Sequence, residues 1–288
     1  NIKKRYLRFR SWVHVNSQFH NAMSFKRILG VIFFLLASLL YGQLSTIHYL
    51  PPLSSSYQGN ADPLDQYLYI STPEENLVSF TITPIGAEDS EIITGQVSNS
   101  QPFRYTISTG GYSQLLVDPT ETARVMRDKG YIIESKVPIY VSVRMNAGGY
   151  AQAGALVSKG INGLGTQFRI GTFNNQGAPG TNYLNFFSLM ATEDNTVVNL
   201  THSIRSGLVI QNFSNGQFPI ENIRLNRGES YVVALKVTDE AGIPIDLNRD
   251  GLIGVLVSSD KPVVVNTGSA NGSFGTGQGR DYGIDQIV

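Results

Sequence analysis

The sequence predicts an all-β fold of two similar β-sandwich-like units in tandem, following a signal peptide. Three observations lead to this prediction. The composition favours strands and turns, the apolar runs are short and broken by turn residues, and two stretches recur at nearly the same spacing.

The composition favours strands joined by turns over helices. The 288 residues include 29 glycines and 10% aromatic residues, and 41% hydrophobic residues are enough to bury a sizeable core. There is no cysteine. A disulfide framework, a thiolate zinc site and a cysteine nucleophile are therefore excluded.

The formal net charge of zero averages two unlike regions. No acidic residue precedes Asp62, whereas seven of the 22 Lys and Arg residues lie before residue 43. Without that leading segment, 15 basic residues face 22 acidic ones, which gives a net charge of −7. Because phosphate binding needs a basic field, we expect no nucleic-acid partner.

The leading segment has the pattern of a secretory signal peptide over residues 23–42. Lys26 and Arg27 precede 13 apolar residues at 28–40, a run too short for a spanning helix, which needs about 20. Residues 1–22 precede a good start at Met23. They suit either a basic membrane-binding arm or an over-extended start, and the second reading is favoured. We expect a secreted mature chain without a membrane span.

From residue 43 onward, short apolar or alternating runs are separated by Gly, Pro, Asn and Asp. One helix is predicted at 120–129, with Asp118 or Thr120 as its cap. The predicted strands are 67–71, 77–83, 91–97, 114–117, 131–134, 139–144, 155–157, 167–170, 186–191, 196–201, 230–236, 252–257 and 263–267.

Two segments indicate an internal duplication. A shift of 119 places "YLYISTPEENLVSFT" (67–81) on "FFSLMATEDNTVVNL" (186–200). A shift of 124 places Ser135 and Pro138 on Ser259 and Pro262, so that each unit would close with a strand, a Ser-x-x-Pro turn and a strand. Chance resemblance between β sheets is the alternative.

The duplication divides the chain into a first β unit at 43–146, a Gly-rich bridging segment at 147–182 and a second β unit at 183–288. The last residues form an apolar run without a terminal tail. We therefore expect the chain to be a fragment that is truncated at its C-terminus.

A candidate calcium loop lies at "DLNRDGLIG" (246–254). Asp246, Asn248 and Asp250 occupy the first, third and fifth positions, with Gly251 at the sixth. The twelfth position, which should carry a bidentate Glu, is Val257. The alternative is an Asp/Asn-rich turn whose side chains bond the backbone. No other cofactor is expected.

Catalytic signatures are weak, and we expect no enzyme activity. Only two histidines, His48 and His202, follow the signal segment. The carboxylate pairs at 74–75 and 193–194 fall on predicted turns, where solvated acids are ordinary. Two Asp-Gln steps, at 65–66 and 285–286, suit strand entries better than a binding surface.

Several stretches resemble the bacterial branch of the IgGFc-binding protein N-terminal domain family. They are "HYLPPL", "DQYLYISTP", "PIYVSVR", "QAGALVSKG", "LGTQFRIGTF", "SSDKPVVVNTGSANGSFG" and "RDYGIDQIV", which span about 47–288. The resemblance implies a large secreted surface protein of gliding Gram-negative bacteria with type nine secretion sorting. It transfers no catalytic residue and no Fc-contacting motif.

The leading expectation is thus a secreted, non-catalytic, cell-surface adhesion or binding module of a larger extracellular protein. Its partners would be a glycan, mucin-like material or a surface protein, contacted by aromatic residues on exposed turns. Two alternatives stay open: a secreted carbohydrate-active hydrolase, and a passive spacer that projects a downstream domain.

Overall fold

A computed structural model describes residues 43–55, 63–110, 112–147, 152–176, 184–202, 205–213, 217–273, 275–276 and 280–288. The predicted signal peptide and residues 1–22 lie outside the described residues. Within the described ranges the chain forms strands and short 3₁₀ turns and no α-helix, which confirms the all-β prediction. Among these residues no helix has the length and apolarity to cross a membrane.

The strands divide into two sheets and one small ribbon. In chain order they are β1 (Ser45–Leu50), β2 (Leu53–Ser54), β3 (Pro63–Ser71), β4 (Val78–Pro84), β5 (Ile93–Val97), β6 (Phe103–Ser108), β7 (Leu116–Val117), β8 (Val125–Met126), β9 (Tyr131–Ala147), β10 (Gln152–Val157), β11 (Gly165–Arg169), β12 (Leu184–Ala191), β13 (Thr196–Thr201), β14 (Ile220–Leu225), β15 (Ser230–Ala234), β16 (Leu256–Gly272) and β17 (Asp281–Ile287).

A 17-residue strand organises each sheet. In the first sheet the order is β5-β4-β9-β3-β6, and the two halves of β9 also pair with β1 and β10. In the second sheet the order is β14-β13-β16-β12-β15-β8, and β16 also pairs with β11 and β17. Apart from β8, each strand of the second sheet therefore has a counterpart in the first.

The pairing register repeats as well. Tyr67 lies opposite Arg144, and Phe186 lies opposite Gly268. These two pairs are related by the shifts of 119 and 124 that the sequence predicted. The outer strands β1 and β11 also match, since both carry a register irregularity at their start. Ser45 lies opposite Ile139 in the first sheet, and Gly165 opposite Val263 in the second.

The Ser-x-x-Pro segments do not form turns between strands as predicted. Each lies inside its long strand, where the serine Oγ donates to the carbonyl oxygen two residues on, at 2.7 Å from Ser135 to Val137 and 2.7 Å from Ser259 to Lys261. Proline cannot donate to a ladder, so it is tolerated where the pairing partner changes. There β9 exchanges β4 for β3, and β16 exchanges β13 for β12.

The Gly-rich bridge supplies one strand to each sheet, because β10 joins β9 and β11 joins β16. The predicted helix at 120–129 is wrong. The segment forms a 3₁₀ turn at Pro119–Glu121 and then strand β8. The Asp118 carboxylate does cap that turn, accepting from the Thr120 amide at 2.8 Å.

The inner face of each sheet buries alternate residues, as period-2 strands require. Strand β12 of the second sheet is buried on both faces, and its Phe186 joins the core of the first sheet. The first core gathers residues such as Leu68, Ile70, Phe80 and Val143. The second gathers residues such as Phe187, Leu189, Val198, Val257 and Val265.

Candidate functional site

Six side chains on strands β6, β3 and β9 form an open patch on the outer side of the first sheet. Leu68 and Ile70 of β3 point into the core, so Tyr67 and Tyr69 point outward. We call this patch the tyrosine–arginine face; its residues are Tyr67, Tyr69, Arg104, Thr106, Ser142 and Arg144.

The register sets the geometry of the tyrosine–arginine face. Tyr67 lies between Thr106 and Arg144, and Tyr69 lies between Arg104 and Ser142. Each arginine side chain extends to the tyrosine diagonal to it and not to the one directly opposite, a distance within the range over which cross-strand side chains interact. The Arg104 guanidinium lies 5.0 Å from the Tyr67 ring centroid, and that of Arg144 lies 5.5 Å from the Tyr69 centroid.

The two tyrosine rings contact each other as well as the two guanidinium groups. Their centroids are 6.2 Å apart at an interplanar angle of 66°, an edge-to-face contact. A guanidinium over a tyrosine ring is attracted by the negative face of the π system without losing its charge. The rings therefore restrain Arg104 and Arg144, which are both exposed, while the charges stay available.

None of the six ion pairs between described residues includes Arg104 or Arg144. Other arginines do form ion pairs, as in Arg127–Glu229 at 2.8 Å and Arg227–Glu134 at 3.2 Å, whereas Arg169 and Arg224 likewise take part in none of the six. The tyrosine–arginine face therefore carries two positive charges outside any of these ion pairs, and Asp65, two residues before Tyr67 on the same side of β3, adds a carboxylate at its border.

The matched face of the second sheet is covered. Phe186, Ser188 and Ala234 occupy positions equivalent to Tyr67, Tyr69 and Thr106, and all three are fully buried. Phe186 packs with Leu50 and Leu53 of the first unit. On the same sheet the side-chain Nδ2 of Asn266 donates to the Pro51 carbonyl oxygen at 2.9 Å. The first unit therefore also supplies a hydrogen-bond partner to a buried polar side chain of the second sheet.

A cleft of about 820 Å³ adjoins the tyrosine–arginine face through Arg144, which borders both. The cleft lies where β9 and β10 meet β16 and β17. Its acidic side chains already have partners: Asp281 accepts from the Ala153 amide at 3.4 Å, and Asp285 pairs with Lys159 Nζ at 3.4 Å. These contacts favour a structural junction over a catalytic pocket.

Glycines allow the strands at this junction to approach closely. At Gly268 and Gly283 a Cβ would collide with the neighbouring strand or with the ring of Phe173. Gly154 likewise lets β10 approach Tyr282, since an added Cβ would lie 2.7 Å from the Tyr282 carbonyl oxygen. A side chain at any of these three positions would therefore force the strands apart.

A groove of about 1120 Å³ lies over β4, β5 and the middle of β9. It is lined by apolar residues such as Leu77 and Phe103 and by polar ones such as Gln96 and Gln101. The carboxylate pairs at 74–75 and 193–194 border neither this groove nor the cleft. Asp194 instead accepts from the Arg227 amide at 3.0 Å.

The candidate calcium residues have protein partners of their own. Asn248 is fully buried; its Nδ2 donates to the carbonyls of Val209 and Lys236 at 3.0 and 2.8 Å, and its Oδ1 accepts from the Val209 amide at 3.1 Å. Asp246 accepts from Arg249 at 3.0 Å, and Asp250 forms a two-point ion pair with Arg205.

These contacts favour the turn alternative, although Asn248 bonds backbone far along the chain and not its own turn. In the described ranges, no group of three or more His, Cys, Asp or Glu side chains is placed to hold a metal ion. Melting with calcium and with a chelator distinguishes the two alternatives.

The two Asp-Gln steps have structural roles. Gln66 is buried, donates to the Gly110 carbonyl at 2.6 Å and accepts from the Ser113 hydroxyl at 2.7 Å. Gln286, also buried, donates to the Tyr49 carbonyl at 3.0 Å and accepts from the Lys159 amide at 2.7 Å. Both glutamines therefore tie distant strands together.

The histidines likewise contact main chain. His48 Nε2 lies 3.0 Å from the Ile139 carbonyl oxygen, and His202 Nε2 lies 3.0 Å from that of Gly251. Burial lowers the pKa of His48 from 6.5 to about 4, so this imidazole is neutral at pH 7.

Comparison with known proteins gives a family match. Residues 153–288 match the family model described as IgGFc binding protein. The match covers the second sheet except β8, and nearly all of β10, and it contains none of the residues of the tyrosine–arginine face. It supports a binding module in that part of the chain. The wider resemblance, from about residue 47, is a prediction that this match does not reach.

No curated protein matches the chain. Among solved structures, the major pilin of Streptococcus pyogenes aligns at 10% identity, over 84% of this chain and 98% of the pilin chain, with a TM-score of 0.19. A point mutant of the same pilin aligns at 11% identity over the same shares, with the same TM-score. At that TM-score the alignments carry no argument about fold or function.

Sequence reasoning placed the binding aromatics on turns, whereas the tyrosine–arginine face lies on strands. Strand β6, which carries Arg104 and Thr106, was not predicted. Its sequence "FRYTIS" alternates with period 2, and this signal could have revealed both the strand and its outward arginine.

Proposed function

We propose that this chain is an extracellular, non-catalytic binding module and that its ligand-contacting surface is the tyrosine–arginine face. One observation carries the proposal. Of two faces built on the same register, one is covered by the chain itself, whereas the other presents to solvent two ring-supported arginines that take part in none of the ion pairs between described residues.

The family match supports a binding role, since the family is described by what its namesake binds. Binding of antibody Fc is not carried over to this chain. As part of the same proposal, the module belongs to a larger protein at the surface of a gliding Gram-negative bacterium, exported through type nine secretion. Its ligand is a glycan, mucin-like material or a surface protein.

A binding screen with matched variants tests this proposal. The purified protein is applied to arrays of glycans, mucins and surface proteins, beside the double variant Arg104→Ala/Arg144→Ala. The control is Arg224→Ala, which removes an exposed strand arginine of the second sheet.

We expect binding that the double variant loses and the control retains. Circular dichroism and melting curves check that the variants stay folded. Binding that survives in the double variant would place the ligand elsewhere, and silence across all arrays would support the passive spacer. Either result contradicts the proposal.

A further inference from the structure

The charge, spacing and composition of the tyrosine–arginine face restrict the chemistry of its ligand. This step rests on the function proposed above. We infer that the ligand is an anionic polysaccharide with acid groups repeated along its chain.

The charge of the face selects an anion. Arg104 and Arg144 are exposed and have no carboxylate partner among the described residues. A guanidinium presents a planar fork of donors that matches carboxylate and sulfate oxygens in pairs. Because each fork already rests on a tyrosine ring, less side-chain entropy is lost when an anion binds.

The spacing selects a ligand with more than one acid group. Arg104 and Arg144 lie on the strands that flank β3, opposite Tyr69 and Tyr67 respectively. Strand spacing and rise place their Cα atoms roughly 12 Å apart. The two forks lie over different rings, whose centroids are 6.2 Å apart, so a polymer with repeated acid groups can engage each of them separately.

The groups between the arginines suit sugars. The rings of Tyr67 and Tyr69 hold the two guanidiniums, and Thr106 and Ser142 beside them supply hydroxyls that can bond to those of a sugar. The backbone of β3 is paired on both sides. A peptide lying over the two tyrosines therefore finds no main-chain partner there and could pair only at the open edge of β6, so a hydroxyl-rich chain recognised through side chains fits the centre of the face better.

The rest of the surface makes the interaction local. Residues 43–288 carry a net charge of −7, so the general field repels polyanions and the attraction has to come from local groups such as Arg104 and Arg144. The affinity of a contact with two charges depends only weakly on salt: the logarithm of the binding constant falls with the logarithm of the salt concentration with a slope of about two. A broad basic surface would give a steeper slope.

The experiment compares probes that share a backbone and differ in charge. Binding of the purified protein is measured to polygalacturonate, to its carboxyl-reduced counterpart, to dextran sulfate, to dextran and to poly-glutamate. The protein variants are Arg104→Ala, Arg144→Ala, the two corresponding lysine variants and the control Arg224→Ala.

We expect binding to polygalacturonate or dextran sulfate and none to the matched neutral polymers. Which of the two acidic polymers binds distinguishes carboxylate from sulfate ester as the recognised group. Each alanine variant should weaken binding about 10- to 100-fold, the range of a charge-assisted hydrogen bond. Lysine keeps the charge but not the fork, so it should restore part of the affinity, while Arg224→Ala should change nothing.

Other outcomes overturn the inference in distinguishable ways. Equal binding of neutral polymers, lost in the alanine variants, would refute the anionic ligand but keep the tyrosine–arginine face as the binding surface. Poly-glutamate binding as tightly as the acidic polysaccharides would point to an acidic protein partner. Glycan binding that no alanine variant weakens would refute both this inference and the proposed function.

Discussion

The outer faces of the two sheets have the same strand order and register but opposite chemistry. On the second sheet, Phe186 and Ser188 are fully buried, and Phe186 lies in one core with residues of the first unit. On the first sheet, their counterparts Tyr67 and Tyr69 face outward and carry arginines. In addition, β15 pairs with β8 on its outer side, whereas its counterpart β6 has no strand on its outer side among the described residues. The chain thus contains two surfaces of matching strand order, of which one packs against the rest of the chain and the other is open.

The largest expected effect separates the two faces by stability. Phe186→Ala removes a fully buried ring from the first core and should lower the free energy of unfolding by about 3–5 kcal/mol. Tyr67→Ala, at the matched position, should lower it by only about 1 kcal/mol, because it loses partial burial and one cation–π contact. Urea unfolding at neutral pH measures both.

Equal losses for Phe186→Ala and Tyr67→Ala would contradict the contrast between a covered and an open face. Ligand binding completes the comparison, since Tyr67→Ala should reduce it while leaving the fold intact. A conservative Tyr67→Phe variant keeps the ring and should retain most of the binding.

The repeated strand order could be predicted because it follows from local sequence patterns. The shifts of 119 and 124 came from apolar runs and the Ser-x-x-Pro segments, and the pairings of Arg144 and Gly268 obey them. The different fates of the two faces could not be predicted. They depend on residues such as Leu50 and Pro51, which reach the second sheet from far along the chain.

Strand prediction failed where polar residues interrupt the apolar pattern. β1 contains His48, β14 contains Asn222 with a positive φ of 59°, and β17 contains Gly283 packed beneath Phe173. In each strand tertiary contacts override weak local preference. The candidate site was not predicted for a related reason, because Arg104 lies on β6, another strand that was not predicted.

A second difference between the units concerns the matched strands β1 and β11. His48 lies opposite Ile133, and Phe168 lies opposite Val257, so a buried imidazole replaces a buried phenyl ring. The folded pKa of about 4 lies below the unfolded value of 6.5, so the unfolded chain binds the proton more tightly. Stability from this group is complete above pH 6.5 and falls as the pH drops toward 4, by up to about 3 kcal/mol.

Chemical unfolding at pH 7.5 and pH 4 measures this effect against His48→Gln, which cannot titrate. The wild type should lose more stability than the variant over that interval. If both lose the same amount, the acid sensitivity arises from carboxylates and not from the buried imidazole.

A smaller effect tests whether the units are equivalent in detail. Ser135 and Ser259 make the same hydroxyl-to-carbonyl hydrogen bond at the proline segment of their long strands. Ser135→Ala and Ser259→Ala should each cost about 1 kcal/mol. Urea midpoints that differ by much more than this would show that one proline segment carries strain or burial that the other does not.

The smallest expected effect concerns calcium at 246–254, a loop in the second unit. A calcium site filled at a hundredfold excess over its Kd would add about 2.7 kcal/mol of stability. Because Asn248 is committed to backbone partners and Asp250 to Arg205, we expect the same melting midpoint with calcium as with a chelator. A calcium-dependent rise that Asp246→Asn abolishes would contradict this, since the ion would then have displaced Arg249 from its carboxylate.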